Sequence, residues 1–255
     1  MFEEILSRAP AGITSTTIDE LDALRLRGAN AAPGTLAFGD CPICHNKGYV
    51  LSKENRSLIA RDCSCMVKRR NARRVKESGL EDILIRYTFQ SYESAEEWQK
   101  DALRKALRFA SAPDKWFIIV GTPGTGKTHL CTAICGDLMA RGKDVVYMIW
   151  REEAPRLKAL VNKRDEYERR MNVLKDCDCL YIDDFWKGGN VTEADVNLAF
   201  EIINARYIGA NKQTIISGEK TIEEIFSIDE AIGSRIYERS PGFRVKTMGR
   251  NRRML

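Results

Sequence analysis

From residue 95 onward, short and nearly continuous apolar runs alternate with amphipathic stretches. Trp116–Val120, Asp144–Trp150, Cys179–Asp183, Gln213–Ser217 and Gly242–Lys246 read as strands. Helices are expected at Ala95–Phe109 behind a Ser94 cap, at Lys127–Arg141, across Glu152–Leu174 and from a Thr192 cap to Tyr207. Two more are expected at Ile222–Phe226 and Glu230–Glu238. Strands with little alternation are buried on both faces, and strand–helix alternation implies a parallel sheet covered by helices on both sides.

The first part of the chain follows another rhythm. Helical stretches are expected at Phe2–Arg8 and at Ile18–Arg27, the latter opened by Ser15-Thr16-Thr17. Gly48–Leu51 and Ser57–Ala60 read as two strands joined by a Lys53-Glu54-Asn55 turn. Met66–Glu77 is a basic helix carrying Lys68, Arg69, Arg70, Arg73, Arg74 and Lys76. The expected organisation is an N-terminal module, residues 1–78, and an α/β core, residues 79–255, divided near Ser78-Gly79.

Composition narrows the class. Of 255 residues, 44% are hydrophobic and 30% charged, ordinary values for a globular chain. The apolar runs are far shorter than the roughly 20 residues of a membrane span. Met1-Phe2-Glu3-Glu4 is acidic where a signal peptide would be basic, so a cytoplasmic location is expected. The net charge of +5 permits contact with nucleic acid without requiring it. In a reducing compartment, eight cysteines point to metal ligands or small apolar core residues rather than disulfides.

The most specific signal is Gly121-Thr122-Pro123-Gly124-Thr125-Gly126-Lys127-Thr128, which matches G-x-x-x-x-G-K-[ST] between an expected strand and helix. Glycines let successive N–H groups turn toward phosphate oxygens, and the helix N-terminus adds partial positive charge. Lys127 is expected to reach the β- and γ-phosphates of ATP, and Thr128 to ligate Mg2+. The apolar strand Leu180-Tyr181-Ile182 ends in Asp183-Asp184, one strand–helix–strand excursion later. Asp183 is expected to hold Mg2+ through water, and Asp184 to orient or deprotonate the attacking water. His129 reads as a packing residue of the following helix rather than a base.

Cys41-Pro42-Ile43-Cys44, eighteen intervening residues and Cys63-Ser64-Cys65 resemble zinc-ribbon spacing. The second pair has one intervening residue instead of two, which leaves His45 as an alternative ligand to one thiolate. Cys131, Cys135, Cys177 and Cys179 read as buried structural residues.

Together these residues resemble the DnaC/DnaI-type replicative helicase loaders of the AAA+ superfamily, in the versions carried by phages and mobile elements. The carriers are the cysteine-rich module, Tyr87-Thr88-Phe89-Gln90-Ser91-Tyr92, Gly121–Leu130, Tyr181–Phe185, Thr214–Ser217, and Ile228-Asp229-Glu230 followed by Ala231–Ile236. The resemblance implies a P-loop AAA+ core without a C-terminal lid, preceded by a zinc-ribbon-like module that grips a hexameric DnaB-type helicase. It also implies slow ATP hydrolysis, self-association in ATP and binding of single-stranded DNA. Arg235 matches the arginine that reaches a neighbouring subunit's γ-phosphate, with Arg239 as the alternative. Arg151, Arg156, Lys158, Lys163, Arg164, Arg169 and Arg170 mark a DNA-binding segment or a solvated helix face.

Two features depart from that pattern. Ser217-Gly218-Glu219 stands where the family's sensor asparagine follows its strand, and the sequence closes soon after Arg253. Three other readings compete: an IstB-type transposition helper, whose relatives lack the Cys-x-x-Cys module; a small-molecule kinase, for which an Arg-rich lid is missing; and an ATP-gated adaptor that barely hydrolyses.

Overall fold

The computed structural model describes residues 15–248 apart from Phe38, Asn55, Arg56, Gly79 and Pro113. The expected helix at Phe2–Arg8 and the residues around Arg253 lie outside this range. The chain divides at Arg69/Arg70 into two compact units, within a helix that spans Cys65–Ser78.

In the first unit, helix α1 (Ser15–Ala31) begins earlier than expected, so the anticipated cap residues form its first turn. Strands β1 (Tyr49–Glu54) and β2 (Ser57–Asp62) pair antiparallel from Tyr49↔Asp62 to Glu54↔Ser57. Lys53 and Glu54 therefore belong to the ladder rather than to a turn. The Asn30 amide ties the end of α1 to β1: its Nδ2 donates to Leu51 O and its Oδ1 accepts from Leu51 N, both at 2.9 Å. The helix continuing from Cys65 is α2 (Cys65–Ser78). Its Arg69 is buried and donates to Leu36 O (2.9 Å), Ala37 O, Gly39 O (2.8 Å) and Asn46 Oδ1 (2.6 Å). One guanidinium thus satisfies four acceptors of a segment with little regular structure, a role suited to its fork of donors.

The second unit is an α/β layer structure. After a short helix α3 (Glu81–Arg86) come α4 (Glu97–Phe109), β3 (Trp116–Val120), α5 (Lys127–Ala140) and β4 (Val145–Ile149). Then follow α6 (Trp150–Ala159), α7 (Arg164–Asp176), β5 (Cys179–Asp183), α8 (Glu193–Ile208) and β6 (Gln213–Gly218). Helices α9 (Ile222–Ile228) and α10 (Glu230–Arg239) precede β7 (Arg244–Lys246). The sheet runs β4-β5-β6-β3-β7 with every pair parallel. Trp116, Ile118 and Val120 of β3 pack into one apolar cluster with residues of α6–α8 and α10, whereas Phe117 and Ile119 pack into another with α4 and α5. All five β3 residues are buried, which explains the absence of polar alternation. Removing each such side chain from water contributes about 1.5–3 kcal/mol.

Local chemistry shifted some boundaries. Glu96, not Ser94, caps α4: its backbone N–H donates to Gln99 Oε1 at 2.9 Å in a capping box. Thr192 caps α8 as expected, its hydroxyl accepting from Asp195 N. Trp150 opens α6 rather than closing β4, and Leu160–Lys163 divides the expected Glu152–Leu174 helix in two, with Lys163 N bonded to Leu160 O at 2.7 Å. Cys131, Cys135, Cys177 and Cys179 are buried free thiols of the core, as expected. Burial pushes all four above the ordinary cysteine range, which leaves them poor nucleophiles.

Candidate functional site

The loop between β3 and α5 turns on left-handed residues: φ is +130° at Gly121, +75° at Gly124 and +90° at Gly126, which precedes the first turn of α5. A Cβ at Gly121 would overlap Thr247 Oγ1, so glycine is required by contact as well as by backbone. Thr125, also buried, donates to Thr122 O at 2.9 Å and sits 3.0 Å from Thr247 Oγ1. Thr247 N in turn bonds Val120 O at 2.8 Å. The residue after β7 therefore braces the loop from below. Lys127 is buried, with Nζ 2.7 Å from both Gly121 O and Thr122 O. Burial lowers its pKa, opposed by the negative charge of Glu219. Pro123–His129 form one wall of a cleft of about 350 Å3 that Tyr87, Tyr92, Asp184 and Lys187 complete.

Asp183 ends β5 as a buried carboxylate with three hydrogen-bond donors. Tyr147 OH of β4 reaches Oδ2 at 2.6 Å, Ser217 Oγ of β6 reaches Oδ1, and Asp184 N reaches Oδ1 at 3.0 Å. Ser217 also pairs with Tyr181 OH at 3.1 Å. A carboxylate offers about four acceptor positions, so one remains on Oδ2. That is the requirement for receiving a water of a bound magnesium ion, and Thr128 lines the adjacent cleft. Burial, then the charge of Asp183 beside it, pushes the Tyr147 phenol up, which keeps it a donor.

Asp184 has φ +54° and Trp186 φ +52°, so the chain turns sharply on two non-glycine residues. Such residues cost of order 1–3 kcal/mol and cluster at functional sites. Phe185 and Trp186 anchor the turn: they are buried and stacked at 4.5 Å, and Phe185 N bonds Ser217 O at 2.8 Å. Asp184 pairs with Lys187 at 3.2 Å, and Lys187 also pairs with Glu219 at 3.1 Å. His129 stacks on Tyr87 (4.6 Å), meets Tyr92 edge-on (5.3 Å) and approaches Thr88 O at 3.0 Å. It latches the Tyr87–Tyr92 segment onto α5, in agreement with its reading as a packing residue.

Tyr147, Lys187 and the Tyr87–His129 pair were not singled out as site residues by sequence. A lone tyrosine within Val-Val-Tyr-Met-Ile and a lysine between an aromatic pair and Gly188-Gly189 were the available signals.

Arg235 lies over Phe200 (5.1 Å) and Tyr207 (5.4 Å) of α8, with Nε 3.1 Å from Asn204 Oδ1. It forms no ion pair among the described residues. Arg239 also covers Tyr207 (5.1 Å) and donates to Tyr207 O. Of the basic residues from Arg151 to Arg170, Arg156 and Arg170 pair with Glu153, Lys158 with Asp195 and Arg164 with Glu168. Arg151, Lys163 and Arg169 are exposed and unpaired among the described residues. In α2, Arg70 and Arg74 face Asp144.

In the first unit, the sulfurs of Cys41, Cys44, Cys63 and Cys65 lie within 4.8 Å of one another. Cys41–Cys63 is 3.7 Å and Cys44–Cys65 is 3.5 Å, close to the edge of about 3.8 Å that zinc–sulfur bonds of about 2.3 Å impose on a tetrahedron. Gly48 N approaches Cys44 Sγ at 3.3 Å. Burial would raise the Cys44 thiol, but this N–H and the neighbouring sulfurs bring it down to about 6. His45 is exposed and outside the group, so the four cysteines form a complete donor set that could make a zinc module.

This sheet, with a Gly-rich loop from a central strand into a helix, defines an ATP-binding protein of the AAA+ kind. Residues 48–239 match the family described as IstB-like ATP binding protein, and the chain belongs to that family. It is 29% identical over 246 residues to the phage-like element PBSX protein XkdC of Bacillus subtilis (strain 168), covering 89% of this chain and 91% of the relative. It is 28% identical over 197 residues to the replicative helicase loader DnaC of Escherichia coli (strain K12), covering 76% and 74%. A crystal structure of the DnaC helicase loader superposes with a TM-score of 0.58 at 23% identity, over 65% of this chain and 98% of that one. AMPPCP-bound DnaA from Aquifex aeolicus superposes with 0.55 at 23% identity, over 63% and 50%. These structural likenesses establish the fold. Among the described residues no helix is long and apolar enough to cross a membrane.

Proposed function

We propose that this protein is an ATP-dependent loader that grips a replicative hexameric helicase of the DnaB type and delivers it to single-stranded DNA in the cytoplasm. The observation that carries this reading is the joining of two parts in one chain. A four-cysteine module precedes a cleft lined by Pro123–Thr128 and Asp184, with the charge of Asp183 bearing on Lys127. Similarity to a named helicase loader over 76% of the chain supports it.

In the nucleotide site, the loop N–H groups and Lys127 bind the phosphates of ATP, and Thr128 with Asp183 hold magnesium. Bound magnesium would neutralise charge on the β- and γ-phosphates. Asp184 orients the attacking water and accepts its proton, and Arg235 of an adjacent copy meets the transferred phosphate with a planar, permanently charged donor. Zinc held by Cys41, Cys44, Cys63 and Cys65 stabilises a module too small for a core of its own. Within Arg151–Arg170, the cations Arg151, Lys163 and Arg169, unpaired among the described residues, are available to DNA.

The test combines the purified protein with purified host replicative helicase and single-stranded circles coated with single-strand-binding protein. The reading expects an ATP-dependent complex and helicase transferred to the circle. No complex in either ATP or ADP would reject it. The IstB-like match begins at Gly48, so Cys41 and Cys44 precede it. Stimulation of a transposase in place of helicase transfer would favour the transposition-helper alternative.

A further inference from the structure

The turn after β5 places a second lysine in the phosphate cleft. Lys187 Nζ is 3.2 and 3.3 Å from the two oxygens of Asp184 and 3.1 Å from Glu219 Oε1, and the residue lines the same cleft as Pro123–Lys127. Its placement is over-determined. Phe185 and Trp186 are buried on its N-terminal side, Lys187 N bonds Asp184 O at 3.0 Å, and Gly188 and Gly189 with positive φ carry the chain away. Gly218 allows the close approach of the two strand exits, since a Cβ there would meet Phe185 O at 3.1 Å. That approach is what brings Glu219 beside Lys187.

Three carboxylates, Asp183, Asp184 and Glu219, bear on this end of the cleft and would repel a triphosphate. Lys127 and Lys187 are cations set against them: the charges of all three carboxylates bear on Lys127, and those of Asp184 and Glu219 on Lys187. Burial would lower Lys187, but the contacts to Glu219 and Asp184 raise it, so it stays a cation. Its three nearest acceptors are the two oxygens of Asp184 and Glu219 Oε1, so a phosphate that reaches Lys187 shares or displaces one of these carboxylate contacts. Glu219 occupies the place where the family pattern has a sensor asparagine region, and the structure gives it a different task, as counter-ion to a lysine.

We propose that Lys187 is a second phosphate-binding lysine, which contacts the terminal phosphate of bound ATP and makes the site distinguish ATP from ADP. This rests on the nucleotide reading of the Gly121–Thr128 loop. The alternative is a lysine that only braces the turn.

The experiment measures binding of AMPPCP and of ADP, each with magnesium, to the full chain by titration calorimetry. A charge-assisted contact to the γ-phosphate predicts that Lys187→Met weakens AMPPCP about tenfold while ADP stays within about twofold. Lys187→Arg should recover most of the preference, and unchanged ADP affinity shows that the variant is folded. Equal loss of both nucleotides, or an unchanged AMPPCP-to-ADP ratio, overturns the proposal. Lys127→Ala separates this from the underlying reading: it should lose both nucleotides. If Lys127→Ala binds both like the parent chain, or the parent binds neither, the nucleotide assignment itself falls and this proposal with it.

Discussion

Tyr147 and Asp183 are joined by a 2.6 Å hydrogen bond from the phenol of β4 to the carboxylate ending β5. With Ser217 on the other oxygen, the acid at the centre of the site is fixed by hydroxyls from the strands on either side. Tyr147→Phe is expected to cost about 1.5–3 kcal/mol, the range for a hydrogen bond to a charged group. The loss should appear in chemical denaturation and as a weakened magnesium dependence of nucleotide binding. An unchanged denaturation midpoint together with an unchanged magnesium titration would show that Asp183 does not need the phenol.

Lys127→Ala and Asp184→Asn should separate binding from turnover. The first removes the buried ammonium of the phosphate loop and is expected to abolish tight ATP binding. The second keeps the side-chain shape and the binding while removing the carboxylate proposed to activate water, so hydrolysis should fall by about 10²-fold or more. Hydrolysis by Asp184→Asn at the parent rate would reassign the base.

Cys63→Ser should release zinc and unfold the first unit while leaving nucleotide binding by the second intact. Structural zinc contributes about 10–16 kcal/mol in small modules. Metal analysis of the parent protein should find one equivalent, and limited proteolysis of the variant should cut within residues 15–69. Less than about half an equivalent in gently prepared protein would argue against the site.

Arg235→Ala should bind ATP as the parent does yet lose hydrolysis and ATP-driven assembly, by about 10³-fold if it acts as a finger in trans. Within its own chain the residue rests on Phe200 and Tyr207 of α8, bonds Asn204 Oδ1 and Ala231 O, and forms no ion pair among the described residues. Mixing Arg235→Ala with Lys127→Ala should restore activity at shared interfaces. A mixture no more active than its parts, with mixed oligomers demonstrated, rejects the role in trans.

The parts of the molecule legible in sequence are those fixed by neighbours in the chain. β3 and β5 were read to the residue because burial on both faces leaves an unbroken apolar run between polar ends. Gly121–Thr128 was legible because each glycine answers a local backbone demand. Helix α3 escaped because six residues carry too little period to see. The role of Tyr147 depends on the β4–β5 register, which sets it opposite Tyr181 and diagonal to Asp183. That of Lys187 depends on two left-handed residues that sequence gives no reason to expect. The break at Leu160–Lys163 has the same character, since the residues on both sides form helix readily.

The brace beneath the phosphate loop has a consequence for how this protein is made. β3 lies between β6 and β7, so Trp116 waits for Thr214 and Ile118 for Arg244 before either has its ladder partner. The loop that follows β3 is then propped by Thr247. Pairings so distant along the chain form slowly. A ribosome builds the cysteine module before the nucleotide loop, and the loop lacks its support until β7 has emerged. Nascent chains should therefore acquire ATP binding in a late step, after residue 247 clears the exit tunnel, while the four cysteines of the first unit are all available far earlier.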